Sequence, residues 1–228
     1  GDGNYNAASG TVSDSIAKAN AVIAVTPYSV TYDGNAHTAT GTATGVESTP
    51  ADLSSLLNLS ATTHTNAGTY ATDAWTFAGN GNYNAASGTV SDSVAKASST
   101  TVVTIVGGPF TYTGAAQTPA TVSVTGAGGL SLTPDASYAD NTNAGTATAS
   151  YTYAGDANHD GSSDSKSFAI AKAASTTVVT IVGGPFTYTG AAQTPATVSV
   201  TGIGGLSLTP DASYADNTNA GTATASYT

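Results

Sequence analysis

Residues 145–153 read GTATASYTY, and this stretch decides the fold class. Ala147, Ala149, Tyr151 and Tyr153 alternate with hydroxyl-bearing residues, so an extended chain would carry one apolar face and one polar face. This alternation is typical of a half-buried β-strand. We therefore predict a β-protein whose core faces the alanine and tyrosine side of this strand.

The segments around residues 145–153 have the same character. They are short, rich in Val, Ile, Thr and aromatic residues, and separated by Gly-Gly-Pro, Thr-Gly and Thr-Pro turns. The predicted strands lie at 100–106, 109–114, 120–124, 130–132, 146–153 and 165–171. Six or seven short strands in about 76 residues predict a small all-β sandwich.

The chain repeats itself. Residues 97–152 and 173–228 are identical at 54 of 56 aligned positions, and residues 1–19 match 79–97 at 17 of 19. A fixed period of this kind indicates tandem modules. We therefore expect a terminal strand of a preceding repeat at 1–19, followed by repeat 1 at 20–97, repeat 2 at 98–173, and repeat 3 at 174–228, which stops before its last hairpin and strand.

Repeats 1 and 2 share a skeleton although they belong to different types. Each has an early Tyr-x-Gly (from Tyr32 and Tyr112), a central Asn-Ala-Gly-Thr (from Asn66 and Asn143), and a closing Ala-Lys-Ala. In repeat 1 we predict strands at 21–25, 28–34, 37–43, 56–62, 69–77 and 88–95.

Three finer predictions concern repeat 1. Its segment 66–79 is one residue longer than 143–155, which predicts a β-bulge near Asp73 that returns Trp75 to the core face. Trp75 is therefore expected in the core. The sequence TPADLSSLL at 49–57 allows one helical turn capped by Thr49.

Both ends of the chain suggest a window cut from a longer array. We expect the parent protein to continue on either side. In this chain the orphan strand at 1–19 should either fray or add to the open edge of another chain's last repeat, head to tail.

Composition excludes several classes of function. The chain has a net charge of −10 with four lysines and no arginine, so nucleic acids and anionic membranes are poor partners. No cysteine is present, which excludes disulfides and thiolate metal sites. Nothing in the sequence resembles a membrane-inserting segment. Charged residues make up only 8% of the chain, and this profile suits an extracellular surface.

The motifs resemble repeat families of large bacterial surface proteins. The unit from VTYDGNAHTATG (30–41) to NAGTY (66–70) resembles the MBG-type, YDG-containing repeat, and the unit from FTYTGAAQTP (110–119) to YAGDANHDGSSDSKSF (153–168) resembles bacterial Ig-like repeats. The resemblance implies an extended array of tandem β-modules that project other domains from a cell surface, without catalysis. Repeat 1 is open between an Ig-like sandwich and a β-grasp-like variant.

One loop has the spacing of a calcium site. Asp156, Asn158 and Asp160 occupy alternate positions before Gly161, and Asp164 follows, as in the opening of a calcium-binding loop. The distal glutamate of such loops is missing. The matching loop at 80–84 offers neutral asparagine oxygens, so a polar hairpin turn explains the same residues. Calcium is the only cofactor that the sequence suggests.

The remaining candidates for chemistry have structural alternatives. The three histidines, at 37, 64 and 159, lie in unrelated contexts, and Asp135 with Asp140 could form a glycosidase pair but fits turns better. Lys96 or Lys172 could form an isopeptide bond with Asn66 or Asn143, although these lysines lie at repeat boundaries.

The sequence thus favours structural stalk repeats of a secreted or cell-surface adhesin-like protein, whose partners are the neighbouring repeats. The alternative is a carbohydrate- or protein-binding module that uses four tyrosines as a stacking surface. These are Tyr5, Tyr83, Tyr138 and Tyr214.

Overall fold

The computed structural model describes residues 3–228 and confirms an all-β protein. Each sheet is built from strands of a single repeat. The chain forms two compact units. The first contains the chain up to Ser99 together with two loops from repeat 2, Gly126–Leu130 and Gly155–Asp160, and the second contains the rest of residues 100–228.

Repeat 1 lies in the first unit and contains two sheets. Strands β1 and β3 pair antiparallel, and the second sheet has the order β2-β6-β5-β4, in which β2 runs parallel to β6. The strands are β1 (Val22–Thr26), β2 (Ser29–Thr31), β3 (Thr40–Thr44), β4 (Leu57–Asn58), β5 (Gly68–Phe77) and β6 (Ala86–Ala95). The buried residues of its core are Ala43, Leu53, Phe77 and Tyr83.

The predicted bulge is confirmed. Tyr70 pairs with Asp92 but Asp73 pairs with Val90, so two residues of β5 lie opposite one residue of β6, and β5 carries one extra residue. The shift places Phe77 in the core, where it is 1% exposed.

Trp75 lies at the edge of this core rather than inside it. It is half-buried and pairs with Gly88, and a Cβ on Gly88 would lie 2.5 Å from the indole Cζ2. The indole therefore covers a glycine of the neighbouring strand, and the side chain is only partly buried.

The helical turn of repeat 1 lies further along the chain than predicted. A 3₁₀ turn spans Ser54–Leu56, and no side chain caps it. Residues 51–53 instead pair with residues 43–45: Leu53 N–H donates to the Ala43 carbonyl, and the Ala51 carbonyl accepts from Gly45 N–H. Of the strand expected at 56–62, only Leu57–Asn58 forms, and a second 3₁₀ turn spans Ser60–Thr62.

Repeat 2 has two sheets that correspond to those of repeat 1, with one additional strand in the first of them. One sheet has the order β10-β9-β7, and the other has β11-β12-β13-β8, with β8 parallel to β13. The strands are β7 (Ser99–Ile105), β8 (Phe110–Thr111), β9 (Ala120–Gly126), β10 (Ser131–Leu132), β11 (Ser137–Ala139), β12 (Gly145–Tyr153) and β13 (Ser162–Ala171). The alternation in GTATASYTY is confirmed, since Ala147, Ala149 and Tyr153 are buried.

Repeat 3 forms only part of this arrangement. Strands β14 (Ser175–Ile181), β15 (Ala196–Gly202) and β16 (Leu206–Leu208) make one sheet, and β17 (Ser213–Ala215) pairs with β18 (Thr224–Ser226). Phe186 and Thr187, which match β8, form no strand.

The segment at 1–19, expected as a strand of a preceding repeat that frays or adds to another chain, forms no strand among its described residues. Residues 1 and 2 lie outside the described residues, and residues 6–18 are exposed and have no regular secondary structure. The same sequence forms β6 in repeat 1, where β2 and β5 pair with it. Within residues 3–228, no helix has the length and apolar character needed to cross a membrane.

Candidate functional site: the joints between repeats

The three skeleton motifs of repeat 1 meet at one place in the first compact unit. There they contact the two loops of repeat 2, Gly126–Leu130 and Gly155–Asp160. We call this contact the first joint. All three motifs that repeats 1 and 2 share therefore contribute to the first joint.

The Tyr-x-Gly motif of repeat 1 packs against the glycine turn of repeat 2. Gly34 has φ +85, and a Cβ on it would lie 2.7 Å from Gly128 Cα. A Cβ on Gly128 would in turn lie 2.5 Å from the Tyr32 hydroxyl. Gly34 thus faces the backbone of Gly128, and Gly128 faces the Tyr32 ring, so neither glycine can carry a side chain without movement. The Tyr32 ring also meets the His159 ring edge-on, with centroids 5.2 Å apart.

The Asn-Ala-Gly-Thr motif supplies polar contacts to the same joint. Ala67 N–H donates to Asn158 Oδ1 over 2.8 Å, and Asn158 Nδ2 donates to Asn66 Oδ1 over 3.2 Å. One asparagine side chain of repeat 2 therefore uses both its donor and its acceptor on repeat 1.

The Ala-Lys-Ala motif is held by the same loop. Ala97 N–H donates to the Asn158 carbonyl over 2.9 Å, and Asp160 N–H donates to the Ala97 carbonyl over 2.8 Å. The Lys96 ammonium donates to the Asp156 carbonyl oxygen. The chain is therefore fixed in place as it passes from repeat 1 into repeat 2.

His159 ties the two loops of repeat 2 to each other. Its Nε2 lies 2.9 Å from the Ala127 carbonyl oxygen, and its Nδ1 lies 2.9 Å from Asp156 Oδ1. Because both ring nitrogens face hydrogen-bond acceptors, the protonated ring can donate to both of them, whereas the neutral ring can donate to only one. The pKa of His159 is accordingly raised by the Ala127 carbonyl and then by the Asp156 carboxylate.

A second joint in the other compact unit repeats the central contact. Gly114 has φ +83, and a Cβ on it would lie 2.6 Å from Gly204 Cα, while a Cβ on Gly204 would lie 2.4 Å from the Tyr112 hydroxyl. Tyr112 N–H donates to the Ala171 carbonyl over 2.8 Å, just as Tyr32 N–H donates to the carbonyl of Ala95. The same motif thus meets the same turn twice.

The chain at the start of repeat 1 is held by backbone hydrogen bonds to a loop, in the same way as the chain at the start of repeat 2. Ala19 N–H donates to the Asn82 carbonyl, and Asn84 N–H donates to the Ala19 carbonyl, each over 2.9 Å. Tyr83 takes the place of His159, and its hydroxyl accepts from Val46 N–H over 3.0 Å. The loops 80–84 and 156–160 therefore share one structural role.

The residues of the predicted calcium loop are engaged in other contacts. Asp156 Oδ1 accepts from the backbone N–H groups of Asn158 and His159, and the Asn158 side chain binds repeat 1. Asp164 lies on β13, where Oδ2 accepts from Val103 N–H and Oδ1 pairs with Lys166. Within residues 3–228, no three His, Cys, Asp or Glu side chains are grouped to hold a metal ion. Calcium binding by Asp156, Asn158, Asp160 and Asp164 stays a prediction.

The tyrosines considered for ligand stacking lie in different surroundings. Tyr83 is buried, and the half-buried Tyr138 and Tyr214 accept hydrogen bonds from the backbone N–H groups of Ala120 and Ala196. Three of the four phenol rings therefore serve packing. Tyr5 is exposed.

Sequence reasoning missed a pair of histidines in repeat 1. His37 and His64 exchange both backbone hydrogen bonds, over 2.9 and 3.0 Å. His37 Nε2 lies 3.0 Å from Asp33 and His64 Nε2 lies 2.7 Å from Asp73. Hydrogen bonds from Asn35 and then His37 lower the pKa of Asp33 to about 2. No motif links positions 27 residues apart, so the sequence carried no signal for this pair.

No protein-family model, curated protein or solved structure matches this chain.

Proposed function

We propose that the chain is a run of structural repeats from a secreted or cell-surface adhesin-like protein, and that it acts as a spacer without catalysis. The observation that carries this proposal is the joint. Two successive joints use the same Tyr-x-Gly motif against the same glycine turn, and the first is built from every motif that repeats 1 and 2 share.

The strand order supports Ig-like β-sandwiches for both repeat types. β2-β6-β5-β4 and β8-β13-β12-β11 correspond strand by strand, including the parallel pair at one end. Repeat 1 contains only two 3₁₀ turns besides its strands, which favours a sandwich over a β-grasp. An extracellular location is proposed on the resemblance and on the low charge content.

A deletion of one period tests the spacer role. Removing residues 97–172 joins Lys96 to Ala173 and presents the Gly204 turn to Tyr32 in place of the Gly128 turn, so the first joint keeps its central contact. We expect the maximum dimension in small-angle X-ray scattering to fall by about 30 Å, the size of a domain of this length. An unchanged maximum dimension would contradict an extended array.

A cell-surface assay addresses function directly. The full chain and the deleted chain are each placed between a membrane anchor and a reporter binding domain. We expect the shorter spacer to reduce capture of a ligand held at a distance while capture of free ligand stays the same. If the deleted chain captured the distant ligand as well as the full chain does, the result would favour the binding-module alternative.

A further inference from the structure

The bridge between His37 and His64 in repeat 1 places two imidazoles side by side. The two residues exchange both backbone hydrogen bonds, so they lie directly opposite each other on antiparallel segments. In such a pair both side chains leave the backbone on the same side, and the Cβ atoms are about 4.5–5.5 Å apart.

A carboxylate holds the outer nitrogen of each ring. His37 Nε2 lies 3.0 Å from Asp33 Oδ1, and His64 Nε2 lies 2.7 Å from Asp73 Oδ2. A nitrogen that faces a carboxylate carries the proton of the neutral ring, so the lone pair lies on Nδ1. Neither Nδ1 atom has a hydrogen-bond partner among residues 3–228. Histidines that bind metal ions have this arrangement, because they donate the other ring N–H to a carboxylate or carbonyl.

The two Nδ1 atoms lie on the side of each ring nearer the backbone. Two nitrogens bound to one Zn²⁺ are about 3–4 Å apart, since each Zn–N bond is about 2.0–2.1 Å long. This separation is close to that of the Cβ atoms of an opposed pair. The side chains of His37 and His64 are 26% and 21% exposed, so an ion can reach them from solvent.

The same bridge in repeats 2 and 3 is built from amides. Gln117 N–H donates to the Asn141 carbonyl over 2.8 Å, and Gln193 N–H donates to the Asn217 carbonyl over 2.9 Å, as in the histidine pair. The Asn141 side chain adds a hydrogen bond to the Gln117 carbonyl. The bridge therefore forms without imidazoles, and its architecture does not explain the two histidines.

The carboxylates that hold the rings are also confined to repeat 1. Thr113 takes the place of Asp33 in repeat 2. Asp73 lies at the bulge of β5, whereas β12 pairs with β13 without a shift of register. A bulge can re-aim a side chain, and this one brings a carboxylate to His64.

The surroundings of the pair carry negative charge. Asp92 is fully buried, and its Oδ2 has no hydrogen-bond partner among residues 3–228. Burial raises the pKa of Tyr28, and the charges of Asp92 and then Asp73 raise it further, so both carboxylates lie near this ring. The Tyr28 ring in turn lies 5.9 Å from that of His37. Within the described residues no lysine pairs with Asp33, Asp73 or Asp92, so a cation would be stabilised here.

We propose that His37 and His64 together bind one divalent transition-metal ion of the class that prefers imidazole, Cu²⁺ or Zn²⁺, and that Asp33 and Asp73 hold the two rings in place. Within residues 3–228 no three His, Cys, Asp or Glu side chains are grouped to hold a metal ion, so water completes the coordination. Cu²⁺ should bind more tightly than Zn²⁺, as it does at most nitrogen sites. The proposal concerns repeat 1 alone and holds whether or not the repeats act as a spacer.

Calorimetric titration with Cu²⁺ and with Zn²⁺ tests the site. The matched control is the double variant His37→Gln, His64→Asn, which installs the amide pair of repeats 2 and 3 and should therefore fold. We expect the full chain to bind one ion and the double variant to lose this binding. If the double variant binds as the full chain does, or if the full chain binds neither ion, the proposal is overturned.

Asp73→Asn tests the role of the carboxylates. It removes the charge that fixes the His64 ring, and it should weaken metal binding about 10- to 100-fold without abolishing it. Unchanged affinity would show that Asp73 does not hold the ring for a metal.

NMR spectra of the histidine rings locate the ion. Zn²⁺ should shift the ring signals of His37 and His64 together, with coordination at Nδ1. His159 is the internal reference, because both of its ring nitrogens are already hydrogen-bonded. A shift confined to one ring of the pair, or to His159, contradicts an ion shared by His37 and His64.

Discussion

Replacing the glycine of the Tyr-x-Gly motif with alanine should open the joint in which that glycine lies. Gly34, Gly114 and Gly190 have φ values of +85, +83 and +73. An added Cβ would lie 2.7 Å from Gly128 Cα in the first case and 2.6 Å from Gly204 Cα in the second. At Gly190 the nearest atom would be 3.8 Å away. The three substitutions share the backbone strain and differ only in what lies opposite.

The expected magnitude follows from this difference. A left-handed alanine costs about 1–2 kcal/mol at each of the three positions. Overpacking adds about 1–3 kcal/mol at Gly34 and Gly114, because backbone lies opposite and cannot rotate away. The equilibrium for opening each joint should therefore shift by about 5- to 150-fold beyond the shift in the Gly190→Ala control.

Trypsin can report on each joint separately. The chain has four lysines and no arginine. Lys18 lies in the exposed segment and gives an internal reference, while Lys96 and Lys172 each follow an alanine whose carbonyl accepts a hydrogen bond from the tyrosine of the motif. Cleavage at a held lysine requires local opening, and its rate follows the population of the open state when reclosing is fast.

The three variants should give three different patterns. Gly34→Ala should speed cleavage at Lys96 alone, Gly114→Ala should speed cleavage at Lys172 alone, and Gly190→Ala should change neither. If Gly190→Ala speeds cleavage as much as the others do, or if Gly34→Ala leaves Lys96 protected, the close approach of the glycines does not hold the joints together.

The remaining predictions concern pH, the core and calcium. The pKa of His159 is raised in the folded state, so the stabilising effect of the protonated ring on the first joint should be complete below pH 6.5. This effect should be lost as the pH rises through the pKa of the folded protein. NMR titration of the His159 ring can follow the loss, with His159→Gln as the control. Phe77→Ala should reduce the free energy of unfolding in urea by about 3–5 kcal/mol, and Trp75→Ala by less, since only Phe77 is fully buried. Added calcium should leave Tm unchanged, because the Asp156 and Asn158 oxygens are already hydrogen-bonded. If calcium instead raised Tm by several degrees and Asp160→Asn abolished this rise, the loop would be a metal site.

The sequence predicted local features well, because each depends on neighbouring positions. Alternation placed Ala147 and Ala149 in the core, and a one-residue difference in length placed the bulge of β5 between Tyr70 and Asp73. The cap expected at Thr49 was wrong, because pairing of residues 51–53 with β3 and Gly45 outweighs the preference of a Thr-Pro pair to start a helix.

The joints could not be predicted, although all their motifs were visible. Tyr32 and Gly128 lie 96 positions apart, and nothing in either motif indicates that one packs on the other. The spacing of the 156–160 loop suggested a cation, and in this structure its oxygens accept hydrogen bonds from backbone N–H groups of the loop itself and of the preceding repeat's motif. Asp and Asn serve equally well in both roles, so spacing alone cannot separate them.

Residues 8–17 and 86–95 show that a local sequence pattern does not by itself determine whether a strand forms. Their sequences differ at one position, yet only 86–95 forms a strand, because only there do β2 and β5 lie on either side. Phe186 and Thr187 show the same dependence: they repeat the sequence of β8, which pairs with β13, but they form no strand in this structure. Strand formation at these positions therefore depends on a neighbouring strand as well as on the local sequence.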